Sequence, residues 1–379
     1  MKLTVRNRCD DFTSYRAARV KSLFNADSGC NFDLDAELPI EGTGWKLGVI
    51  VGPSGSGKTS MGRRVFGAVG DAAMYEPAWP ADKPIVDAIA PDGDFDAVTG
   101  ALAAVGLGTV PAWLRPYPVL SNGEKFRATL ARLIAEAPAR AVVDEFTSVV
   151  DRQIAKVGAL AFQKAWRRTK GQVVLLSCHY DILEWLQPDW VYDTATKQFS
   201  GRWLRPRPSF ELALWQTDWR YWPLFEPHHY LKVPKMIAAR CYVGTVDDEL
   251  VCHLAVGTKN IGKGIEARAC RLVVMPEWQG AGVGLRFLNQ VCQWQLEGAE
   301  HARMPGRRLT TLFHTSHPGL CAALRRNPAW RHVSDKLYGQ NKRRSAASLS
   351  NRAGSVGNGT GYGGHFRAVQ GFRYLGEKA

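Results

Sequence analysis

The 379-residue sequence predicts an α/β protein made of two consecutive αβ-patterned regions. Two glycine-rich turns support this, in "VIVGPSGSGKTS" and "RLVVMPEWQGAGVGLRFLNQ"; each follows an apolar strand-like run and precedes a helical pattern. A composition shift in "DTATKQFSGRWLRPRPSF" predicts a linker at about residues 195–210. We therefore predict a first domain over 1–200, a second over 201–345, and a Gly/Ser-rich loop with a C-terminal strand of the second domain over 346–379.

The composition, with 45% hydrophobic and 22% charged residues, is that of an ordinary globular protein. No run approaches the length of a membrane-spanning helix, and the first residues are too polar for a signal peptide. These observations predict a cytoplasmic protein with no membrane partner. The cysteines are scattered singly without a C-x-x-C pair, which favours buried reduced thiols over a zinc site or a disulfide framework.

The formal net charge of +14 lies entirely in the second half of the chain. Residues 1–200 contain 23 Lys+Arg and 23 Asp+Glu, whereas residues 201–379 contain 26 and 12. Basic clusters such as "RMPGRR" and "NKRRSAASLSNR" recur there, interspersed with Trp and Tyr. Such a surface attracts polyphosphates, so we predict a nucleic-acid partner, DNA rather than RNA. A solvated basic face without a partner is the alternative.

The first glycine turn matches G-x-x-x-x-G-K-[ST] in full and has the strand and helix context that this motif requires. The pattern predicts an ATP site in which backbone N–H groups and Lys58 bind phosphates and Thr59 binds Mg²⁺. Asp144 follows the apolar run "AVV" and is the second residue predicted at the Mg²⁺ site. Burying a carboxylate at the end of such a strand costs free energy unless a cation binds it. The predicted nucleotide-binding residues of the turn are Gly52, Ser54, Gly55, Gly57, Lys58, Thr59 and Ser60.

Three further stretches follow in the order "LSNGEKFRATLARLIAEAP", "ARAVVDEFTSVVDR" and "GQVVLLSCHYD". They resemble the signature motif, the Walker B strand with its D-loop, and the switch histidine of ABC-type ATPases, over roughly residues 30–195. The resemblance implies that Glu145 polarises the attacking water and that His179 contacts the γ-phosphate. It also implies an ATP-dependent homodimer, because the signature residues Ser121 and Gly123 act on the nucleotide of a partner.

The sequence departs from this family's pattern at several positions. Asn122 stands where the second signature glycine is expected, Glu124 replaces a Gln, and "MYEPAWPADKP" has no Q-loop glutamine. The short gap between Lys58 and Ser121 predicts a trimmed helical subdomain. A transporter role would require another subunit.

The second glycine turn, from Gln279 to Gly284, lacks the Lys-Thr pair that a nucleoside triphosphate needs. A hairpin pattern precedes it in "ARCYVGTVDDELVCHLAVGT", and the strand "RRLTTLFHTS" follows. This order resembles the GNAT acyltransferase fold over about residues 210–340. The resemblance implies acetyl-CoA or another acyl-CoA, whose pyrophosphate meets the turn and whose pantetheine arm meets the backbone of Val273 and Val274. The implied cofactor-binding residues are Val274, Gln279, Gly280, Gly282 and Gly284.

Acyl transfer from a thioester to an amine needs a group that accepts the amine proton. The predicted catalytic residues are His229 and His317, which precede helices expected to border the cleft. Three neighbours, namely His228, His314 and Ser316, are further candidates. Each of these could instead be a satisfied structural residue.

The whole arrangement resembles ABC ATPases fused to acetyltransferase domains. The "HHYL" and "HTSHPGL" stretches resemble the Mom-type DNA-modifying branch of the GNAT superfamily, found in bacteriophages, which would place the protein in the host cytoplasm. These resemblances imply an ATP-gated acyltransferase that modifies a nucleic-acid base amine. Two alternatives stay open: an ATP-dependent nucleic-acid clamp with a non-catalytic second domain, or a transferase for a protein or small-molecule amine.

Overall fold

The computed structural model describes residues 1–8, 11–24, 31–66, 74–201, 208–230, 235–236, 238–262, 264–298, 306–338 and 367–377. The chain forms two compact units. The first unit contains Met1–Trp79 and Ser121–Pro208, and the second contains Pro80–Leu120 and Ser209–Ala379. The basic stretch around Arg343 and Arg344 lies outside the described residues. Within the described ranges, no helix combines the length and apolar character that a membrane span needs.

The first unit has seven strands and five helices in its described residues. They are β1 (Lys2–Arg8), α1 (Tyr15–Phe24), β2 (Asn31–Glu37), β3 (Leu47–Val51), α2 (Lys58–Gly62), and, after the segment that belongs to the second unit, α6 (Asn122–Glu136), β4 (Arg140–Val143), α7 (Arg152–Trp166), β5 (Gln172–Ser177), α8 (Leu183–Leu186), β6 (Trp190–Asp193) and β7 (Gln198–Gly201).

The five-stranded sheet of the first unit has the order β4-β5-β3-β6-β7. Its first four strands are parallel, and β7 pairs antiparallel with β6. Parallel strands need crossover connections and cover on both faces, which explains why β3 is buried throughout and β5 almost throughout. Strands β1 and β2 form a separate antiparallel pair. The carboxyl ends of β3 and β4 therefore lie at the same edge of the sheet, separated only by β5.

The second unit begins with Pro80–Leu120, which we call the connecting segment. The described elements of the unit are α3 (Ile85–Ala88), α4 (Phe95–Ala104), α5 (Val110–Trp113), β8 (Ala213–Thr217), α9 (Trp222–Phe225), β9 (Arg240–Val246), β10 (Glu249–Ile261), β11 (Gly264–Val274), α10 (Val283–Glu297), β12 (Thr311–Thr315), α11 (Pro318–Arg326), β13 (Trp330–Tyr338) and β14 (Arg367–Tyr374).

The position of the connecting segment differs from the prediction, which placed one contiguous first domain over residues 1–200. The prediction treated the region as part of the ATPase, whereas its contacts cluster with residues 209–379. Helix α4 packs on α11, and at Gly319 an added Cβ would collide with the Ala103 side chain. The segment lies in the second unit because α4 and α11 pack so closely at this crossing that only a glycine fits at position 319.

The seven-stranded sheet of the second unit has the order β13-β14-β12-β11-β10-β9-β8. Its pairs are antiparallel except for β11 and β12, which run parallel. The C-terminal strand β14 lies between β12 and β13, so it is an interior strand. Its Phe372 and Tyr374 side chains are fully buried, and Tyr374 packs edge-on against Trp330.

Strands β11 and β12 pair over only three residues each, from Ala267–Ala269 to Thr311–Phe313. Beyond that point β11 continues to Val274 with β10 as its neighbour. A register shift in the β10–β11 ladder and a left-handed Arg271, with φ +58°, mark a bulge there. The two parallel strands therefore separate, and a gap opens between their carboxyl ends.

The described cysteines are all free thiols. Four of them are buried, and burial raises the pKa of Cys241 to about 12. Cys178 is exposed, which differs from the expectation of buried thiols throughout. Cys9 and Cys30 lie outside the described residues.

The burial of β14 generates a stability prediction. Phe372 is 0% exposed, whereas Leu375 just beyond the strand is 51% exposed. Phe372→Ala should lower the free energy of unfolding of the second unit by about 3–5 kcal/mol, because it leaves a large cavity. Leu375→Ala should change it by about 0.5 kcal/mol or less. Urea unfolding of the whole chain measures both, and equal effects of the two substitutions would contradict an interior position of β14.

Candidate functional site

The phosphate loop of the first unit follows β3 directly. Gly55 and Gly57 have φ values of +78° and +86°, in the left-handed region that favours glycine. A Cβ at Gly52 would collide with the hydroxyl of Thr194. These constraints explain the glycines of the motif, because the chain must turn tightly between the buried end of β3 and the start of α2 at Lys58.

Lys58 folds across this loop. Its Nζ donates to the carbonyl oxygens of Gly52 at 2.8 Å and of Pro53 at 2.7 Å. The hydroxyl of Ser56 donates to the Pro53 carbonyl at 2.8 Å and lies 2.6 Å from the Thr194 hydroxyl. The ammonium group is thus held at the mouth of the loop, where the same donors can turn to phosphate oxygens.

The predicted magnesium pair is brought together. Thr59 Oγ1 donates to Asp144 Oδ2 at 2.8 Å, although 85 residues separate them in sequence. The backbone N–H of Glu145 donates to the other carboxylate oxygen at 2.8 Å. No group of three or more His, Cys, Asp or Glu that could hold a metal occurs in the described part of the chain. A hydroxyl, one carboxylate and phosphate oxygens fit Mg²⁺, which is bound in proteins largely through substrate phosphates.

Glu145 is exposed and has a left-handed backbone, with φ +49°. Thr147 is also left-handed, with φ +72°, and its hydroxyl lies 3.1 Å from Nδ1 of His179. Left-handed non-glycine residues are costly and cluster at functional sites. Burial and the charge of Arg152 lower the pKa of His179. The segments after β4 and β5 are therefore joined by this contact and by the ion pair between Arg152 and Asp181.

The signature stretch begins with an N-terminal cap. Ser121 Oγ accepts from the backbone N–H of Glu124 at 3.3 Å, and the backbone N–H of Ser121 donates to the Glu124 carboxylate at 2.9 Å. This is a capping box, which explains why Glu at 124 is compatible with this helix start. Gly123 lies against Ile154, because an added Cβ would come within 3.0 Å of its Cδ1.

The second unit contains a cavity of about 430 Å³ between the separated ends of β11 and β12. Four groups of residues line it: the end of β11 with the second glycine turn, the end of β12 with the start of α11, part of the connecting segment, and residues 228–230 after α9. Strand β14 adds Val369. The main lining residues are Ala103, Gly106, Gly108, His228, His229, Tyr230, Arg268, Cys270, Arg271, Val273, Val274, Gln279, Gly280, Gly282, Gly284, His314, Ser316, His317 and Val369.

The second glycine turn forms one end of this cavity. Gly280 and Gly282 have φ values of +94° and +89°, and no atom lies within 4 Å of an added Cβ at Gly282. Gly284 packs closely on β11, since an added Cβ would be 2.9 Å from Val274 Cγ2. Gly282 is also the N-terminal cap of the 15-residue helix α10. The turn therefore presents bare backbone to open space at a helix N-terminus, a geometry suited to an anion.

Gln279 links the turn to the connecting segment. Its amide nitrogen donates to the Val274 carbonyl at 3.0 Å, and its amide oxygen accepts from the backbone N–H of Gly108 at 2.9 Å. The prediction considered only the backbone of Gln279. The role of Gly108 has no sequence signal, because its partner is 171 residues away.

His317 was predicted as a catalytic residue, but both of its ring nitrogens are engaged. Nδ1 accepts from the backbone N–H of Leu320 at 3.3 Å and caps α11. Nε2 therefore carries the proton and donates to the Gly108 carbonyl at 3.2 Å. Burial lowers the pKa of His317. This geometry gives His317 a positioning role in the cavity and does not support it as the proton acceptor.

The other histidines differ in environment. His229 lines the cavity, is 8% exposed, and packs against the rings of Trp222 and Tyr230. His314 is half-buried, and its Nδ1, like the hydroxyl of Ser316, has no hydrogen-bond partner in the described part of the structure. His314 and Ser316 therefore each present an unmet polar atom among the lining residues.

Comparison with known proteins gives a relative that matches part of the chain. Cytochrome c biogenesis ATP-binding export protein CcmA of Rhodospirillum rubrum is 31% identical over 166 residues, covering 35% of this chain and 68% of the relative. No family model matches the chain.

Two solved structures show weak likeness in fold. The dimeric structure of MJ0796, a bacterial ABC transporter cassette, has a TM-score of 0.33 and 14% identity, covering 43% of this chain and 84% of that one. CbiO1 from Clostridium perfringens, part of the ABC transporter complex cbiONQ, has a TM-score of 0.33 and 13% identity, covering 50% and 83%. TM-scores this far below 0.5 do not establish a shared fold. The assignment rests on the sequence match to CcmA, and by that match the chain belongs to the family of ABC-type ATP-binding proteins.

Proposed function

We propose that this protein is an ATP-hydrolysing ABC-type ATPase coupled to an acyl-CoA-dependent N-acyltransferase that modifies a nucleic-acid base amine. One observation carries the proposal. The second unit has a cavity that ends in a bare glycine turn and is walled by the same segment that leads into the signature motif. The remaining support comes from the ATP-binding geometry and from the excess positive charge of the second half.

The ATPase part uses residues already positioned around the loop. Lys58 would move its ammonium from loop carbonyls to the β- and γ-phosphates, and Thr59 with Asp144 would hold Mg²⁺. The metal would neutralise charge on the transferred phosphoryl group. Glu145 would orient the attacking water, and His179 would contact the γ-phosphate. Because Ser121 and Gly123 would act on a partner's nucleotide, we propose that ATP drives homodimer formation.

The acyltransferase part would bind acyl-CoA in the gap between β11 and β12. Backbone N–H groups of the turn from Gln279 to Gly284 would meet the pyrophosphate, and the backbone of Val274 would meet the pantetheine arm. The amine nitrogen of the acceptor would attack the thioester carbonyl carbon, the C–S bond would break, and the CoA thiolate would leave and take up a proton. The amine proton would pass to a side chain of the cavity.

His229 remains a proposed proton acceptor, and His314 is a second one. Burial, with Arg268, Lys259 and Lys336 nearby, lowers the pKa of His314 to about 4. The imidazole is therefore neutral at pH 7, but a pKa this low makes His314 a weak proton acceptor.

The connecting segment is the proposed route of coupling. It contacts the glycine turn through Gly108 and Gln279, and its last residue, Leu120, is joined directly to Ser121 of the signature motif. A change in the position of Ser121 on ATP binding would therefore pull on a wall of the cavity.

A clamp with a non-catalytic second unit is the second candidate function, and the engagement of both His317 ring nitrogens favours it. Mass spectrometry of nucleosides from cells with and without the protein tests the choice, since a new acylated base is expected only from the transferase.

The first prediction concerns the nucleotide cycle. Lys58→Ala should abolish ATP binding, because it removes the cation at the mouth of the loop. Glu145→Gln should retain binding but accumulate an ATP-bound dimer, because slow hydrolysis delays its dissociation. Size-exclusion chromatography with ATP measures the dimer, and Lys170→Ala, at an exposed lysine, is the matched control. A Glu145→Gln protein that stays monomeric at saturating ATP would contradict the proposed ATP-driven dimer.

The second prediction concerns the glycine turn. Gly282→Glu should eliminate acetyl-CoA binding, because it places a side chain and a negative charge where the pyrophosphate approaches backbone. Gly306→Glu is the matched control: Gly306 also has a positive φ, +71°, and open space around its Cβ. Isothermal calorimetry on the full chain measures both, since the connecting segment completes the cavity. Equal affinities in the two variants would remove the acyl-CoA assignment.

The third prediction concerns coupling. In the wild type, a non-hydrolysable ATP analogue should change the acetyl-CoA dissociation constant by about fivefold or more, the lower end of typical allosteric coupling. Gln279→Ala should abolish this shift, because it removes the contact to Gly108. Gln293→Ala, elsewhere in the same unit, should preserve it. A shift of wild-type size in Gln279→Ala would show that coupling does not pass through this contact.

A further inference from the structure

We infer that one face of the second sheet, extending from β10 to β13, binds a nucleic-acid strand and delivers an unpaired base to the cavity at His314. The presence of an acyl donor at the other end of the cavity rests on the function proposed above. The binding surface itself rests on the register and charge of the described strands.

Strand register defines this face. Residues directly opposite each other in a ladder project to the same side of the sheet, and every second residue along a strand shares that side. His314 is opposite Gly371, Lys259 is opposite Glu266, and Lys336 is opposite Val369. Following these pairs across β11, β12 and β14 places one set of cations on the side of His314. We call this side of the sheet the basic face. Its cations are Lys259, Arg268, Arg331, Lys336 and Arg373.

The electrostatic neighbours of His314 support this placement independently. Arg268, Lys259 and Lys336, which belong to three different strands, all disfavour its protonated form. Lys259 and Lys336 are exposed, and Arg268 is half-buried. The His314 ring also lies over β14, because an added Cβ at Gly371 would be 3.1 Å from its Nε2. The histidine and the cations are therefore neighbours on one surface.

The positive charge of this face is largely uncompensated. Glu266 is the one acidic residue that the register places on this side among the described residues of β10 to β14, and it is 2% exposed. It pairs with Arg373 at 3.3 Å. Within the described ranges, Lys259, Arg268 and Lys336 make no ion pair with a carboxylate. Cations without a carboxylate partner that are spread over neighbouring strands fit a polyanion better than a single acidic group.

The dimensions fit a strand of several phosphates. From β10 to β13 the sheet crosses four strand spacings, or roughly 19 Å. Lys259 and Lys336 near its two sides are exposed, whereas Leu312 and Val369 between them are buried. The cavity opens onto the basic face, since His314, Arg268 and Val369 line the cavity and lie on this side. A base must leave its stack to enter such a cavity, and a single strand is favoured because extruding a base from a duplex costs a few kcal/mol. The unmet polar atoms of His314 and Ser316 lie at this position.

The test uses the full chain and a labelled single-stranded DNA oligonucleotide, with binding measured by fluorescence anisotropy over a range of salt concentrations. For the wild type, log K should fall linearly with log salt by about 0.7 per phosphate contacted. The double variant Lys259→Glu, Lys336→Glu should bind more weakly and have a slope flatter by about 1.4, since two contacts are lost. The matched control is Arg325→Glu, Arg326→Glu, the same charge change at exposed positions at the end of α11.

Several outcomes would overturn the inference. Wild-type binding by the Lys259 and Lys336 double variant, or an equal loss in the Arg325 and Arg326 control, would show that binding does not use the basic face. Competition by poly-glutamate as effective as that by the oligonucleotide would indicate an acidic protein partner instead. Equal affinity for a fully paired duplex would overturn the delivery of an unpaired base.

A second measurement separates this inference from the proposed function. Calorimetry with acetyl-CoA should give the same affinity for the wild type and for the Lys259 and Lys336 double variant, because these lysines are not among the cavity-lining residues. A wild type that binds DNA through the basic face but does not bind acetyl-CoA would refute the acyltransferase proposal and leave the nucleic-acid surface in place.

Discussion

The separation of two parallel strands is the constraint on which the second unit depends. Strands β11 and β12 share a ladder only as far as Ala269 and Phe313, and the bulge at Arg271 turns β11 away. Beyond that point the backbone groups of β11 on the β12 side lose their strand partner. Backbone N–H and C=O groups need partners, so a gap of this kind must be filled by water or by a ligand. The cavity, the bare glycine turn and His314 all lie along this gap.

The same gap explains the importance of the connecting segment. A cleft between strands is open at its side, and the segment from Pro80 to Leu120 closes part of it through Ala103, Gly106 and Gly108. In the sequence this segment lies between the phosphate loop and Ser121, yet its helices pack in the second unit. A segment that is anchored on one cavity and joined covalently to another site is suited to transmit a change between them, which is the basis of the coupling proposed above.

The departures from expected motifs have local physical explanations. Glu124 completes a capping box with Ser121, so the residue that replaces the expected Gln stabilises the start of α6. His317 caps α11 and binds the Gly108 carbonyl, so it supports the cavity wall. In both cases a polar side chain forms hydrogen bonds with backbone groups at the start of a helix. A side chain engaged in this way is less available to act directly on a ligand.

The sequence by itself determined most of the local geometry of the first glycine turn. Its residues form a short local pattern, and the φ values of Gly55 and Gly57, the capping by Ser121 and the strand before the loop all follow from near neighbours in the chain. The contact between Thr59 and Asp144 was also predictable, because parallel strands bring their carboxyl ends to one edge. The position of the second glycine turn after β11 followed from the same kind of local pattern, whereas its GNAT-like interpretation stays a prediction.

Only the tertiary structure decided the rest of the second site. Gly108 meets Gln279 and His317 across separations of 171 and 209 residues, and no periodicity or motif encodes such pairings. The basic face depends on the register of five strands from different parts of the sequence, which sums the charges of Lys259, Arg268 and Lys336 on one side. Net charge was readable from composition, but its placement depends on which strands become neighbours. That choice depends on long-range packing, which local sequence patterns do not specify.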